Sequence, residues 1–192
     1  MIQNVQILET SILSDNWYIL KKIKYRFNRK DGSEHINIRE VYDRGNGATI
    51  LLYNSLNKTV ILTRQFRLPT FVNGNSDGML IEACAGLLDA DNPEDCIRRE
   101  TEEETGYKVK DVRKIMEAYM SPGSVTEILH FFVAEYEQSM KVTEGGGIEE
   151  EQENIEVLEI GFAEALEQVR NGKIKDAKTI MLLQYAKLNN LL

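Results

Sequence analysis

The sequence contains few of the residues that form disulfides or metal–thiolate sites. Among its 192 residues are two cysteines, Cys84 and Cys96, and two histidines, His35 and His130. The cysteines do not form a C-x-x-C motif and the histidines stand alone, which argues against a zinc site. Two isolated cysteines are typical of a reducing compartment, so we expect a cytoplasmic protein.

Long apolar runs are also lacking. Runs such as 49–53 and 131–134 are far too short to cross a bilayer, and the first residues have neither the basic nor the apolar region of a signal peptide. We therefore expect no association with membranes. Hydrophobic residues make up 42% of the chain and charged residues 28%, which is typical of a soluble globular protein that buries its own core.

Positive charge is scarce in the second part of the chain. Residues 1–75 hold 11 basic and 6 acidic residues, whereas residues 76–192 hold 12 and 25. The net charge of −8 argues against binding of nucleic-acid polymers or anionic membranes. The acidic part has two interpretations: a solvated surface, or a set of carboxylates that bind cations.

Hydrophobic periodicity predicts an α+β (mixed α/β) protein, with helices packed on a sheet. The predicted helices are 93–105, 162–170 and 179–192, and 29–33 is predicted to be the turn of a hairpin or meander. The predicted strands are 17–27, 34–42, 48–53, 59–66, 79–83, 112–119, 127–136 and 155–160. The helix at 93–105 has clear end signals: Asn92 as N-cap, Pro93 in the first turn and Gly106 as a left-handed stop.

Four glutamates crowd into the end of this helix, at positions 100 and 102–104. Glu100, Glu103 and Glu104 share one helical face, where like charges repel, and they lie at the end of the helix dipole that disfavours anions. A solvated charged face is one interpretation. The other is a site for Mg²⁺ or Mn²⁺, which prefer oxygen ligands.

The stretch 86–107 resembles the Nudix box, the motif G-x5-E-x7-R-E-U-x-E-E-x-G-U in which U is apolar. Arg99 and Glu100, the Glu103–Glu104 pair and Gly106 match at the family's spacing. The box is one residue shorter than the standard one, Asn92 falls near the early glutamate, and Thr101 replaces an apolar residue. The shorter box and the segments 43–53, 64–67, 83–89 and 119–123 are similar to the GDP-mannose pyrophosphatase branch, which is close to the ADP-ribose pyrophosphatases.

The resemblance covers nearly the whole chain and implies a Nudix fold, a mixed sheet sandwiched by helices. It also implies two parts: an N-terminal antiparallel β-sheet over residues 1–43, and the hydrolase domain over residues 44–192. In this family the N-terminal strands swap across a two-fold axis. We therefore expect a homodimer whose site combines Trp17 and Arg39 of one subunit with the metal helix of the other.

The matched motif also assigns metal-binding and catalytic residues. Glu100 and Glu104 would bind Mg²⁺ (or Mn²⁺) directly, with Glu103 as ligand or support and the Ala85 carbonyl completing the coordination. Arg99 would orient Glu100 or Glu103 through a bidentate pair; the alternative is a surface salt bridge. An acidic segment follows glycines 145–147, and in it Glu153, or else Glu151, would be the catalytic glutamate. The three glycines would be the hinge on which this segment moves. The alternative interpretation is a disordered acidic loop.

Further matched positions are implied to contact the substrate. Arg67 would bind phosphate, Trp17 would stack on the base unless it is a core or interface residue, and Glu40 would accept a hydrogen bond from a base edge or hydroxyl. Ile38 replaces a basic residue of the family pattern. The complete set is Trp17, Ile38, Arg39, Glu40, Arg67, Ala85, Gly86, Leu87, Glu104, Glu127 and Lys178. For Lys178 the alternative interpretation is an ordinary surface lysine without a role in binding.

The resemblance implies Mg²⁺-dependent hydrolysis of the diphosphate bond of a nucleotide sugar, with GDP-mannose giving GMP and mannose 1-phosphate. ADP-ribose or another nucleoside diphosphate sugar is an alternative substrate. A protein that binds a nucleotide sugar without cleaving it is an alternative of another class.

Overall fold

The computed structural model describes residues 1–88, 91–148 and 154–192. By its internal contacts the chain divides into two compact units. The smaller unit comprises Met1–Asn46 and Tyr119–Ile128, and the larger unit comprises Gly47–Ala118 and Leu129–Leu192. None of the helices in the described parts of the chain has the length and apolar character that a membrane span requires.

The smaller unit is a three-stranded antiparallel sheet of β1 (Gln3–Asp15), β2 (Ile19–Asn28) and β3 (Glu34–Asp43), in that order. Strands β2 and β3 form the predicted hairpin, and the Arg29 amide donates to the Ser33 carbonyl across its turn at 2.9 Å. The segment Tyr119–Ile128 joins this unit where the Tyr42 amide donates to the Ser124 carbonyl at 2.7 Å.

No element was predicted for residues 3–15, yet β1 is the longest strand in the described structure. Its pairing with β2 shifts register between Gln3 and Gln6, between Ile7 and Glu9, and between Ile12 and Ser14. Each such irregularity interrupts the alternation of side chains between the two faces. The period of two that identifies strands in a sequence is therefore absent from this segment.

The larger unit is built on a seven-stranded mixed sheet. Its main path runs β10-β5-β4-β9-β8, with β6 paired to β5 and β7 paired to β4; β4 and β9 are parallel. The strands are β4 (Gly47–Asn54), β5 (Thr59–Phe66), β6 (Met79–Glu82), β7 (Cys84–Leu87), β8 (Arg113–Tyr119), β9 (Ile128–Glu135) and β10 (Glu156–Gly161).

The described part of the chain has four α-helices beside this sheet: α1 (Leu68–Val72), α2 (Pro93–Thr105), α3 (Phe162–Arg170) and α4 (Ala177–Leu188). The bounds predicted for α2 and α3 are confirmed. Helix α4 begins two residues earlier than predicted, because Asp176 caps it by accepting from the Thr179 amide, and it ends at Leu188. The short α1 and the strand β7 were not predicted; the Ala and Gly residues of β7 have low strand propensity.

The core lies where α2 packs on the central strands. Strand β4 is buried on both of its faces, which requires cover on both sides of the sheet. On one face Ile50 and Leu52 pack with Cys96 and Ile97 of α2 and with Phe132 of β9. This packing fixes which side of α2 faces the sheet, and therefore where its glutamates project.

Gly106, which ends α2 in a left-handed conformation, leads to a prediction about the stability of the protein. Gly106 has φ +79°, and a Cβ there would overlap the Thr143 carbonyl oxygen, whereas Gly172 has φ +76° with no neighbour that a Cβ would meet. Gly172→Ala is expected to lower the free energy of unfolding by about 1 kcal/mol, from backbone strain alone. Gly106→Ala is expected to lower it by at least about twice as much, because overlap adds to strain. Urea unfolding of both variants measures the difference, and equal losses would contradict it.

Candidate active site

Helix α2 provides the platform of the candidate site. Asn92 caps it by accepting hydrogen bonds from the amides of Glu94 (3.1 Å) and Asp95 (3.0 Å). Asn92, which falls near the early glutamate of the family motif, therefore stabilises the start of the helix. Thr101, which replaces an apolar residue, is fully buried, and its hydroxyl donates to the Ile97 carbonyl at 2.5 Å. This internal bond satisfies the hydroxyl, so the departure does not disturb the core.

Glu100 lies directly against strand β7. A Cβ added to Gly86 would overlap the carboxyl carbon of Glu100. Only glycine leaves this space open, so the close approach of strand and helix depends on Gly86. The side chain of Glu100 is consequently confined beside the backbone of Gly86.

Glu104 is buried one helical turn further on, with 3% of its surface exposed. Its Oε2 accepts from the Ala85 amide at 3.4 Å. The neighbouring Cys84 is also buried: burial raises the pKa of its thiol well above the usual value, and the charge of Glu104 raises it further. A carboxylate that is so little exposed to water depends on hydrogen bonds or positive charges close to it.

Arg99 connects the glutamates of this helix. Its Nη1 lies 2.9 Å from Glu100 Oε1 and 3.1 Å from Glu103 Oε2, and its Nε lies 3.6 Å from Asp91. The predicted bidentate pair with a single glutamate is therefore replaced by one nitrogen shared between two carboxylates. Burial disfavours the charge of Arg99, but Glu100 and then Glu103 outweigh it and raise its pKa.

These carboxylates provide oxygen ligands but do not form a complete coordination sphere by themselves. Within residues 1–88, 91–148 and 154–192, no three His, Cys, Asp or Glu side chains are arranged to hold a metal ion. Mg²⁺ is usually held by one or two carboxylates together with water and substrate oxygens. Glu100 and Glu104 beside the backbone of Ala85 fit that requirement.

Polar contacts hold the backbone on both sides of Ala85 and Gly86. The Ala83 amide donates to Thr179 Oγ1 at 2.7 Å, and the Cys84 carbonyl accepts from Thr49 Oγ1 at 2.9 Å. At the end of the strand, the Leu87 carbonyl accepts from the Cys96 thiol at 3.1 Å. The backbone beside the glutamates is therefore fixed from both sides.

Two predicted substrate-binding cations, Arg67 and Lys178, meet at one carboxylate that was not predicted. Glu82, with 3% of its surface exposed, lies 2.7 Å from Arg67 Nε and 2.5 Å from Lys178 Nζ. Burial raises the pKa of Glu82, but Lys178 and Arg67 outweigh it, so the pKa is lowered. Lys178 is nearly buried and also contacts Asp176 at 3.1 Å, so it is not a plain surface lysine.

A sequence signal for this cluster did exist. Glu82 ends the apolar run Met-Leu-Ile-Glu of β6, and a charge in such a run is rarely buried without a partner. Asp176 stands three residues before Thr179, which is the spacing of an N-cap. Neither signal identifies the partners, which lie 15 and 96 residues from Glu82 in the chain.

The remaining predicted substrate residues belong to the smaller unit. Trp17 is 83% exposed, so the interpretation as a core residue is wrong; its ring meets the Tyr18 ring edge-on at 6.2 Å. On β3, Ile38, Arg39 and Glu40 are all exposed, and the Arg39 guanidinium donates to the Ile38 carbonyl at 2.8 Å.

Glu127 is the most enclosed of the predicted substrate residues in this smaller unit. Its carboxylate lies 3.7 Å from Arg44 Nε. The Arg44 guanidinium in turn lies over the Tyr18 ring, 5.4 Å from its centroid. Tyr18 therefore contacts both Trp17 and the arginine that neutralises Glu127.

The glycines that precede the acidic segment are attached to the last turn of α2. The amides of Gly146 and Gly147 donate to the carbonyls of Glu104 (2.9 Å) and Glu103 (3.1 Å), and the Ile155 amide donates to the Gly146 carbonyl at 3.1 Å. The predicted catalytic glutamates, Glu151 and Glu153, lie outside the described residues.

Comparisons with known proteins identify the class to which this site belongs. The NUDIX domain model matches residues 43–181, and the model of the GDP-mannose pyrophosphatase NudK N-terminal domain matches residues 4–42. The chain belongs to the Nudix family, whose members generally use a divalent metal.

Relatives in curated collections match this chain from end to end. Proteins named GDP-mannose pyrophosphatase from Salmonella arizonae and Salmonella typhimurium are each 58% identical over 192 residues. One of the same name from Escherichia coli O1:K1 is 56% identical over 192 residues, and in all three cases both chains are covered completely.

The close contact between Gly86 and Glu100 leads to a prediction about metal binding. Gly86→Ala is expected to push the Glu100 carboxylate from its place and to weaken Mn²⁺ binding by at least about tenfold. Gly161→Ala is the matched control, because a Cβ there meets nothing within 4 Å. Calorimetric titration with Mn²⁺ measures both. Unchanged affinity in Gly86→Ala would show that this contact does not set the position of a metal ligand.

Proposed function

We propose that this protein hydrolyses the diphosphate bond of GDP-mannose with Mg²⁺, giving GMP and mannose 1-phosphate. The observation that carries the proposal is the position of Glu100 and Glu104 against the backbone of Gly86 and Ala85. The names of the full-length relatives support the choice of substrate. The cytoplasm remains the expected location, for the reasons of cysteine usage given above.

In this proposal each group of the larger unit has a defined task. Glu100, Glu104 and the Ala85 carbonyl hold Mg²⁺, and Arg99 keeps Glu100 and Glu103 oriented by binding both. A divalent cation supplies polarisation of the phosphoryl oxygens and activation of water for attack on phosphorus. Arg67 presents a guanidinium to the diphosphate. The diphosphate and the glutamates of α2 are both negatively charged, so cations must lie between them when the substrate binds.

The smaller unit is proposed to recognise the nucleotide. The exposed indole of Trp17 offers a face for stacking on the base, and the carboxylate of Glu127 accepts hydrogen bonds from the substrate. Arg39 and Glu40 on β3 contribute further polar contacts. Glu153 or Glu151 is proposed as the catalytic glutamate, with glycines 145–147 as its hinge.

A panel of nucleotide sugars tests the reaction. We expect GDP-mannose to be cleaved in the presence of Mg²⁺, with GMP and mannose 1-phosphate identified by mass, and we expect no cleavage when EDTA replaces the metal. Preferential cleavage of ADP-ribose would change the substrate but keep the chemistry. If no member is cleaved while one raises the melting temperature, the protein is a binding module and the proposal is wrong.

The role of Glu100 is tested by removing its charge. Glu100→Gln is expected to lower kcat by more than tenfold, about 1.4 kcal/mol of transition-state stabilisation, because the amide is a poor ligand for Mg²⁺. Glu102→Gln is the matched control on the same helix, since Glu102 pairs with Lys108 at 3.0 Å. A smaller loss in Glu100→Gln than in Glu102→Gln would contradict the assignment.

We propose further that the protein is a homodimer in which residues 1–43 form the interface and exchange strands. Support comes from the exposed apolar side chains of this region, among them Ile2, Val5, Ile7, Leu8, Ile12 and Leu13. Apolar patches of this kind mark interaction surfaces.

Light scattering tests this assembly and is expected to give twice the mass of one chain. Ile7→Glu combined with Ile12→Glu is expected to yield monomers with lowered activity, because charges replace apolar contacts and the subunits no longer complete one another's sites. A wild-type protein that is monomeric and fully active would overturn the proposal.

A further inference from the structure

The carboxylate of Glu82 lies at the centre of a buried cluster of charges. Its Oε1 faces Lys178 Nζ at 2.5 Å and its Oε2 faces Arg67 Nε at 2.7 Å. Lys178 also meets Asp176 at 3.1 Å. Two positive and two negative charges therefore balance, and Glu82 is the member that contacts both cations.

This cluster adjoins the proposed metal ligand Glu104. The chain runs from Glu82 through Ala83 and Cys84 to Ala85, whose amide donates to Glu104. Burial lowers the pKa of Arg67, but Glu82 and, more weakly, Glu104 outweigh it and raise the pKa. Arg67 thus has three carboxylates within electrostatic range, Glu82, Glu104 and Asp176, and it is in direct contact with Glu82.

We propose that Glu82 is a positioning residue that keeps Glu104 available to the divalent cation by holding Arg67 and Lys178 on itself. The inference rests on the proposed function in that it takes Glu104 as a metal ligand. Without the charge of Glu82, the cluster would carry one surplus positive charge beside Glu104. A guanidinium that turned toward Glu104 would compete with the metal for the same oxygens, and the surplus charge would repel the metal.

Glu82→Gln tests this role because the amide keeps the size of the side chain and removes its charge. Mn²⁺ is titrated without substrate, and free Mn²⁺ is followed by electron paramagnetic resonance. The dissociation constant is expected to rise by at least about tenfold. Glu82→Asp retains the charge and is expected to lose less affinity. Glu117→Gln is the control, because its carboxylate pairs with Lys114 at 2.8 Å on β8.

A second variant separates the charge effect from a general loss of structure. In Glu82→Gln combined with Arg67→Gln, one cation leaves together with the carboxylate, so the cluster returns to neutrality. The double variant is expected to bind Mn²⁺ with close to the wild-type affinity. A purely structural role of Glu82 predicts instead that the double variant is at least as impaired as Glu82→Gln.

Each result has a defined meaning. Unchanged affinity in Glu82→Gln, or no recovery in the double variant, overturns the inference. Where Glu82→Gln does not fold, the neutral double variant decides by itself, since weak Mn²⁺ binding there also overturns it. Because the titration contains no substrate, failure of GDP-mannose hydrolysis would overturn the proposed function and leave this result standing.

Discussion

The burial of two carboxylates, Glu82 and Glu104, constrains everything around the candidate site. An ionised carboxylate removed from water costs several kcal/mol unless charges or hydrogen bonds compensate it. Glu82 is compensated by Arg67 and Lys178, and Glu104 is approached by the Ala85 amide. Arg67 is the N-cap of α1, Lys178 belongs to α4 and Ala85 belongs to β7, so these buried carboxylates link three elements around the site. The glutamates of the Nudix helix are therefore positioned by the surrounding fold as well as by the helix itself.

Close backbone packing is the second condition for the site. Gly86 allows β7 to approach Glu100, and the left-handed Gly106 ends α2 where the chain turns beside Thr143. The same end of α2 accepts hydrogen bonds from Gly146 and Gly147. Helix α2 is thus fixed at its start by Asn92 and at its end by the glycines that lead into the acidic segment. The repulsion among its glutamates is opposed by Arg99, which binds two of them with one nitrogen.

The uneven charge of the sequence follows from this arrangement. The acidic second part includes Glu100, Glu103 and Glu104, which face cations in the proposed function, and the more basic first part supplies Arg67 to the same unit. The net charge of −8, from which we expect no binding of nucleic-acid polymers, is compatible with a small nucleotide that arrives with its metals. The names of relatives at 56–58% identity over the full length agree with that interpretation.

Local signals were enough to predict α2, because its caps, its Pro93 and its stop at Gly106 lie within the helix or next to it. The spacing of Glu100, Glu103 and Glu104 and their match to the Nudix box likewise required only the sequence, and the family is confirmed. Strand β1 was missed because register shifts remove its alternation. The glutamate partners of Arg99 also lie on its own helix, so the sequence predicted them and only the sharing of one nitrogen was new. The Glu82 cluster, in contrast, was decided by tertiary structure alone. Folding brings Arg67 and Lys178 to Glu82, and a buried charge does not reveal in the sequence which distant cation will neutralise it.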